Sequence, residues 1–489
     1  MKPLGAITKF YPFLSDETIV IIEDIVERSD SLHDITVGLV EEYAKHSMDS
    51  DMGILATLFA IIYPDTWLSL LTLKEKSILT LPLMMYIDGP SLSNENQDLF
   101  KKILKEAIDS EPEDWILFYL YLAGTLFLPN PEAAGYIEQA RKLVEINPDI
   151  RRFLPFVAQV EAYSLRSEGD IQGVFKICDE ALEIAREYDD FLSISIILIA
   201  KANTIKDLDP QKGLEILEDV YSLILGISGK EEANYFVAQP MALPYYAMGE
   251  YDMALELIRE SYNVFIKYSE NVPIWEALVF ARVYNDLEMP KEALDWLYVY
   301  SSELEFSEGL PNCITACTFT LLEQLDKAAV FLEKARQYAF QSGFDGDVGN
   351  YQFVQGMYCL KAGDISAAVD CFEQSLNLSD PQFQVQVNSC LKALTRVEIA
   401  KIDVKAENVA ETSGPWMTRL KKHAYGKNYL GIMMEYALLK AEYQIMIGEH
   451  EAAKQTLTDA LEITDSVTVK TLRKRITDRL KEIQKAQVS

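Results

Sequence analysis

The sequence predicts an all-α fold: a right-handed α-solenoid of helix-turn-helix repeats with a period of about 40 residues. Three observations carry that reading. Apolar and small residues recur at three- and four-residue spacing almost throughout, as at Ala254, Leu257, Ile258 and Ser261, while period-two stretches are scarce. Short turn signals cut the chain into segments of helical length: Pro129-Asn130-Pro131, Gly169-Asp170, Asp209-Pro210, Gly249-Glu250, Met289-Pro290, Gly363-Asp364, Asp380-Pro381 and Gly448-Glu449. A small-large-small triplet also returns at near-constant intervals, which is the mark of stacked helical hairpins.

Composition allows such a fold. Of the 489 residues 49% are hydrophobic, with only 22 Gly and 18 Pro, so the chain can bury a continuous core and lacks the signature of disorder. The net charge of −31 opposes binding to phosphate backbones or anionic membranes, so neither nucleic acid nor membrane is expected as a partner. Residues 401–489 depart from this balance, with 15 Lys/Arg against 12 Asp/Glu. Cys178, Cys313, Cys317, Cys359, Cys371 and Cys390 form no Cys-x-x-Cys pair, and His33, His46, His423 and His450 are widely scattered, so zinc spacings are missing. They read as reduced, mostly buried thiols of a cytoplasmic protein, with Cys313 and Cys317 sharing one helix face.

In chain order, residues 1–111 hold helical segments at Ser15–Glu27, His33–Lys45 and Gln97–Ser110 without the triplet, and read as an N-terminal cap or degenerate repeats. The N-terminus, MKPLGAITKFYPFLSDE, has no apolar run of signal-peptide length before acids appear. The longest apolar run, Trp115–Pro129, falls short of the ~20 residues needed to span a bilayer and reads as a buried helix. Residues 112–465 form the repeat array. Its triplets are Ala133, Ile137, Ala140; Val174, Cys178, Ala181; Gly213, Leu217, Val220; Ala254, Ile258, Ser261; Ala293, Leu297, Tyr300; Ala328, Leu332, Ala335; Ala368, Phe372, Ser375; and Ala453, Leu457, Ala460. First members lie 41, 39, 41, 39, 35, 40 and 85 residues apart, so one repeat between Gln382 and about Lys427 has lost the pattern. Small residues at fixed points let the helices of a unit approach closely. Residues 466–489 read as a basic capping helix, amphipathic through Val469, Leu472, Ile476, Leu480 and Ile483. Its cluster of Arg473, Lys474, Arg475 and Arg479 reads as a solvated face, or as a contact for an anionic partner.

The units Tyr351–Pro381 and Met433–Ile463 resemble tetratricopeptide (TPR) repeats. Gly356, and likewise Ala162, Ala242, Ala281 and Ala441, match that family's small first-helix residue, and Pro381 its proline after the second helix. The likeness covers residues 112–465, strongly in four units. It departs from the family in its period, near 40 where 34 is usual, and in Cys359, which stands where an aromatic is common. Pro240 and Pro244 predict that the first helix of their unit starts late or kinks.

No motif for catalysis emerges: there is no G-x-S-x-G elbow, no Walker loop and no G-x-G-x-x-G. Gly343–Asn350, GFDGDVGN, lacks the further oxygen ligands that calcium needs and reads as an inter-repeat loop. No metal and no cofactor is expected. The resemblance implies that first helices line a concave groove. Helical phase then projects Phe156, Gln159, Tyr163 and Arg166, then Gln239 and Tyr246, then Trp275, Arg282 and Asn285, then Asn350 and Phe353 towards it. Amides and aromatics suit an extended peptide or a partner helix. Arg166 and Arg282 do not make the basic Lys, Asn and Arg set with which some TPR proteins clamp acidic tails. The expected function is a non-catalytic protein-protein interaction scaffold or adaptor whose partner is another protein or peptide. A ligand- or peptide-sensing regulatory domain is the alternative, and an α/α-toroid hydrolase the remote one.

Overall fold

The computed structural model describes residues 16–29 and, beyond a few isolated positions, residues 114–488, with gaps at 128–131, 168–169, 189–190, 229–234, 269–273, 307–308, 343–344, 380–382, 402–413 and 464. All regular structure among these residues is helical. Of the N-terminal segments, Ser15–Glu27 corresponds to α1 (Asp16–Arg28); His33–Lys45 and Gln97–Ser110 lie essentially outside the described residues. Two compact units emerge, residues 1–204 with 216–234, and residues 205–215 with 235–489.

In the first unit α2 (Asp114–Phe127) pairs with α3 (Glu132–Ile146), and α4 (Leu154–Ser167) with α5 (Ile171–Glu187). The apolar run thus becomes α2, and no described helix is long and apolar enough to cross a membrane. One core gathers Phe118, Ile137, Ala140, Val144, Phe153, Phe156 and Val157; the next gathers Ala158, Ala162, Val174, Cys178 and Ala181. Asp170 caps α5 by accepting from the Gly173 amide at 2.9 Å. The helices α6 (Phe191–Ile205) and α7 (Pro210–Ser228) follow.

The second unit is a run of hairpins: α8 (Tyr235–Ala247) with α9 (Tyr251–Tyr268), α10 (Ile274–Asp286) with α11 (Pro290–Tyr300), α12 (Gly309–Leu321) with α13 (Leu325–Ser342), and α14 (Asp345–Lys361) with α15 (Ile365–Ser379). Next come α16 (Gln384–Ala400) with α17 (Pro415–Lys427), α18 (Leu430–Met446) with α19 (His450–Glu462), and α20 (Lys470–Val488). First helices α10, α12, α14, α16 and α18 contact one another in succession. The α16–α17 hairpin is the repeat whose triplet could not be found in the sequence.

The triplets are the packing contacts between the helices of each hairpin. Ala254, Ile258, Ala293, Leu297, Ala328, Ala335, Ala368, Phe372, Ala453 and Leu457 are all buried, as are the first-helix partners Ala162, Ala242, Ala281 and Ala441. A Cβ on Gly356 would stand 2.6 Å from Phe372 Cε1, so glycine alone lets α14 and α15 approach this closely. The hairpin turns share one closing geometry. The N–H of Glu250, Met289, Gln324, Asp364 and Glu449 donates to the carbonyl five residues back at 2.8–2.9 Å, and the residue before each has positive φ: Gly249, Glu288, Glu323, Gly363 and Gly448.

The helix carrying Pro240 and Pro244, α8, is described from Tyr235 to Ala247 and runs through both prolines, held by the burial of Val237, Ala238, Ala242 and Tyr246 despite two missing donors. One local expectation is corrected. The Gly343–Asn350 stretch is not all loop, since Asp345 opens α14. Asp345 and Asp347 favour that helix N-terminus, and Gly349 packs beneath α15, where Ser375 Oγ donates to its carbonyl at 2.7 Å.

Candidate functional site

Helix α4 places Gln159, Tyr163 and Arg166 on one face, spaced by four and three residues, beside the Ala158 and Ala162 edge that packs on α5. Tyr163 is 48% exposed. Gln159 is half-buried, and its Oε1 makes no hydrogen bond among the described residues. Arg166 is half-buried and engaged. Phe156, projected to the same side, is instead a core residue stacked near Phe153.

In the second unit the projected residues have a different environment, because its first and last repeats meet. A Cβ on Gly431, at the start of α18, would lie 1.9 Å from the Gly249 carbonyl oxygen in the α8–α9 turn, so two backbones touch where only glycine fits. Asp252 on α9 accepts from the Thr471 amide at 2.8 Å and its hydroxyl at 2.6 Å. Asn388 on α16 donates to the Ala247 carbonyl at 2.6 Å and pairs with His423 on α17 at 2.8 Å. Arg396 on α16 is paired with Glu288 in the α10–α11 turn. One core cluster accordingly includes Ala242, Tyr246, Tyr251 and Ala254 together with Met434, Ala437, Ala453, Leu457, Leu472 and Ile476.

Three projected groove residues are therefore corrected: Tyr246, Arg282 and Asn285 do not line an open channel. Tyr246 is 4% exposed, donates to Asp286 Oδ2 at 2.8 Å, and carries the Arg282 guanidinium 5.7 Å over its ring. Arg282 also donates to Gln386 Oε1 at 3.4 Å. Asn285 is buried and donates to Thr318 Oγ1 at 2.9 Å and the Ile314 carbonyl at 3.2 Å. They face the chain's own α10, α12 and α16.

Beside them is a buried charged triad that sequence reasoning missed. Lys392 donates to Glu435 Oε2 at 2.8 Å and to the Tyr251 hydroxyl at 2.9 Å, and Tyr251 donates to Glu435 at 3.2 Å. Burial and the Glu435 carboxylate push the Tyr251 phenol well above its usual range; burial and Asp286 do the same for Tyr246. Burial works to discharge Lys392, but Glu435 and Asp286 outweigh it and hold the ammonium charged above its ordinary range. One signal in the sequence pointed this way: α16 reads QVQVNSCLKALTRVEIA, with polar residues on every turn yet free of acids until Glu398, in a strongly acidic chain.

The remaining candidates stand apart from this interior. Trp275, at the start of α10, is 48% exposed. Gln239 on α8 and Asn350 on α14 are half-buried, and Phe353 packs 5.7 Å from the Phe372 ring.

Paired helices, small residues at their matched crossings and one recurring turn make this chain a TPR-like helical repeat protein, an all-α solenoid. No family model matches the sequence, and no curated protein matches it significantly. Solved structures similar to it include the APC/C hetero-tetramer Cut9-Hcn1, at 13% identity over 97% of this chain and 98% of that one with a TM-score of 0.41. The P58(IPK) TPR domain matches at 11% identity over 79% of this chain and 99% of that one, TM-score 0.24 being the value for Naa15/Naa10 bound to HypK-THB and 0.22 its own. The Naa15/Naa10 match has 14% identity over 96% of this chain and 79% of that one. At such scores the likeness carries no functional argument, and the fold assignment rests on the chain's own helix pairing.

Proposed function

We propose that this chain is a non-catalytic protein-interaction scaffold that seats a segment of another protein on first-helix faces of its repeats, centred on Tyr163, Gln159 and Arg166 of α4. The observation that carries this is the half-exposed Tyr163 ring, flanked one turn away on each side by polar side chains on a rigid helix. An aromatic anchor beside an amide and a guanidinium is the composition of a binding hot spot. The Gln159 Oε1 leaves an acceptor that no described residue uses. In the second unit Gln239 and Phe353 stand three residues before the small first-helix residue, as Gln159 does, and Trp275 and Asn350 stand six before it. Affinity purification with Tyr163→Ala and with the control Tyr298→Ala, which alters an exposed tyrosine on the second helix α11, tests the assignment. Proteins enriched by the native chain and by the control but lost with Tyr163→Ala support it. The same proteins retained by both variants overturn it.

A second reading, a ligand-sensing regulatory domain, draws on the charged interior of the second unit, which an altered helix pitch would uncover. Stabilisation of the protein by a small metabolite in a thermal-shift screen would favour it. The toroid-hydrolase reading is weakened by the engagement of the inner carboxylates, since Asp286 is held by Tyr246 and Glu435 by Lys392 and Tyr251.

A further inference from the structure

The six cysteines divide by accessibility. Cys178, Cys313, Cys317 and Cys390 are buried, whereas Cys359 and Cys371 are partly exposed. These two accessible cysteines are also neighbours. Cys359 lies on α14 one turn beyond Gly356, and Cys371 lies on α15 immediately before Phe372. Gly356 and Phe372 mark the closest approach of the two helices. There the Cys359 and Cys371 thiols adjoin, each within reach of the other as a side-chain partner. Cys359 is further held in place: the Tyr351 hydroxyl donates to Gln355 Oε1 at 3.2 Å, and Gln355 Nε2 donates to Cys359 Sγ at 3.2 Å.

We infer that Cys359 and Cys371 form a reversible dithiol–disulfide pair, oxidised by a low-molecular-weight disulfide and bridging the two helices of one repeat. One thiolate attacks a sulfur of the small disulfide, forming a mixed disulfide and expelling the first small thiolate. The second cysteine, on losing its proton, attacks the protein sulfur of that mixed disulfide and expels the second. The protein loses two electrons and two protons, and the small disulfide becomes two thiols. Gln355 Nε2 already donates to the Cys359 sulfur, whereas burial, with Cys359 and Asp370 nearby, pushes the Cys371 thiol up to about 11, so Cys359 is the entry point. The closed bridge ties α14 to α15 across a short loop, and so restrains the unfolded chain.

Oxidised glutathione is the probe. The full-length protein is incubated with it, unreacted thiols are alkylated, and tryptic peptides are analysed without reduction. The expected product links the peptide ending at Lys361 to the peptide of residues 362–392, with loss of two alkylation sites and no retained glutathione. Because the second peptide also contains Cys390, Cys390→Ser is run in parallel and must leave the link intact. Cys371→Ser must instead trap glutathione on Cys359, and added dithiothreitol must restore both thiols. Two separate glutathione adducts on the native chain, a link that vanishes in Cys390→Ser, or full alkylation of both cysteines after oxidation would each overturn the assignment.

Discussion

Replacing Lys392 by methionine is expected to be among the costliest single changes in this chain. Its ammonium stands 2.8 Å from the Glu435 carboxylate, with the two side chains 9% and 5% exposed. At an effective dielectric of ~20, unit charges at that distance attract by about 6 kcal/mol, most of it cancelled by the loss of hydration when both are buried. The pair therefore adds little net stability, but removing one partner is different. Methionine fills the lysine's volume and leaves Glu435 charged, buried and supported only by the Tyr251 hydroxyl, a situation that costs about 3–5 kcal/mol. Lys392→Met should lower the urea midpoint accordingly, and the double change Lys392→Met/Glu435→Met should recover most of the loss. A chain of this length does not have to unfold in one step, so hydrogen exchange across α8, α16 and α18 belongs beside the circular-dichroism melt. A single-change loss below about 1 kcal/mol would refute the reasoning, because it would mean that water reaches Glu435. So would a double variant no more stable than the single one.

Further outcomes follow from the same geometry. Gly431→Val drives a side chain into the Gly249 carbonyl and should cost at least ~1–3 kcal/mol with faster exchange in α8 and α9, whereas Gly426→Ala, which meets nothing within 4 Å, should be neutral or stabilise by up to about 1 kcal/mol. Leucine at Ala368, fully buried at its hairpin crossing, should destabilise by a similar ~1–3 kcal/mol in the same urea assay. Stability should fall steeply above about pH 9. Burial pushes the Cys313, Cys317 and Cys390 thiols up to about 12, so from their unfolded value upward the unfolded chain releases protons that the folded chain retains. Each thiol then removes about 1.4 kcal/mol per pH unit, and urea midpoints measured across that range should flatten in a variant with all three changed to alanine.

What was legible in the sequence was the part of the fold governed by packing between neighbouring helices. A small residue at Ala254, Ala293, Ala328 or Ala368 is required by its own hairpin, so the requirement repeats with the hairpin and appears as a period. The positive-φ turn repeats for the same reason, although Glu288 and Glu323 occupy it where glycine would be expected; Met289-Pro290 still marked the first of these, and the Glu323 turn was hidden. The glycine-rich stretch Gly343–Asn350 was misjudged because Gly346 and Gly349 fall inside α14, where packing against α15 overrides local propensity. The helix phase of Tyr246, Arg282 and Asn285 relative to the small packing residues was also legible. Their accessibility was not, since that depends on α16, which lies about a hundred residues further along the chain.

The α16–α17 repeat explains both failures at once. The buried face of α17 is Met417, Leu420 and Ala424, spaced three then four with the small residue last, so a search for small-large-small at four then three passes over it. Its first helix has lost the pattern for a physical reason as well. Most first helices in this unit pack mainly against their neighbours in the array, but α16 must also meet α8, α9, α10 and the α10–α11 turn, and it does so with Asn388 against α8, Lys392 against α9, Gln386 against α10 and Arg396 against the turn. A position that satisfies a buried carboxylate or a turn carbonyl cannot also serve as an apolar repeat contact. The unit closes where the repeat decays, and that decay was the one visible sign that its inner face would be occupied by its own chain.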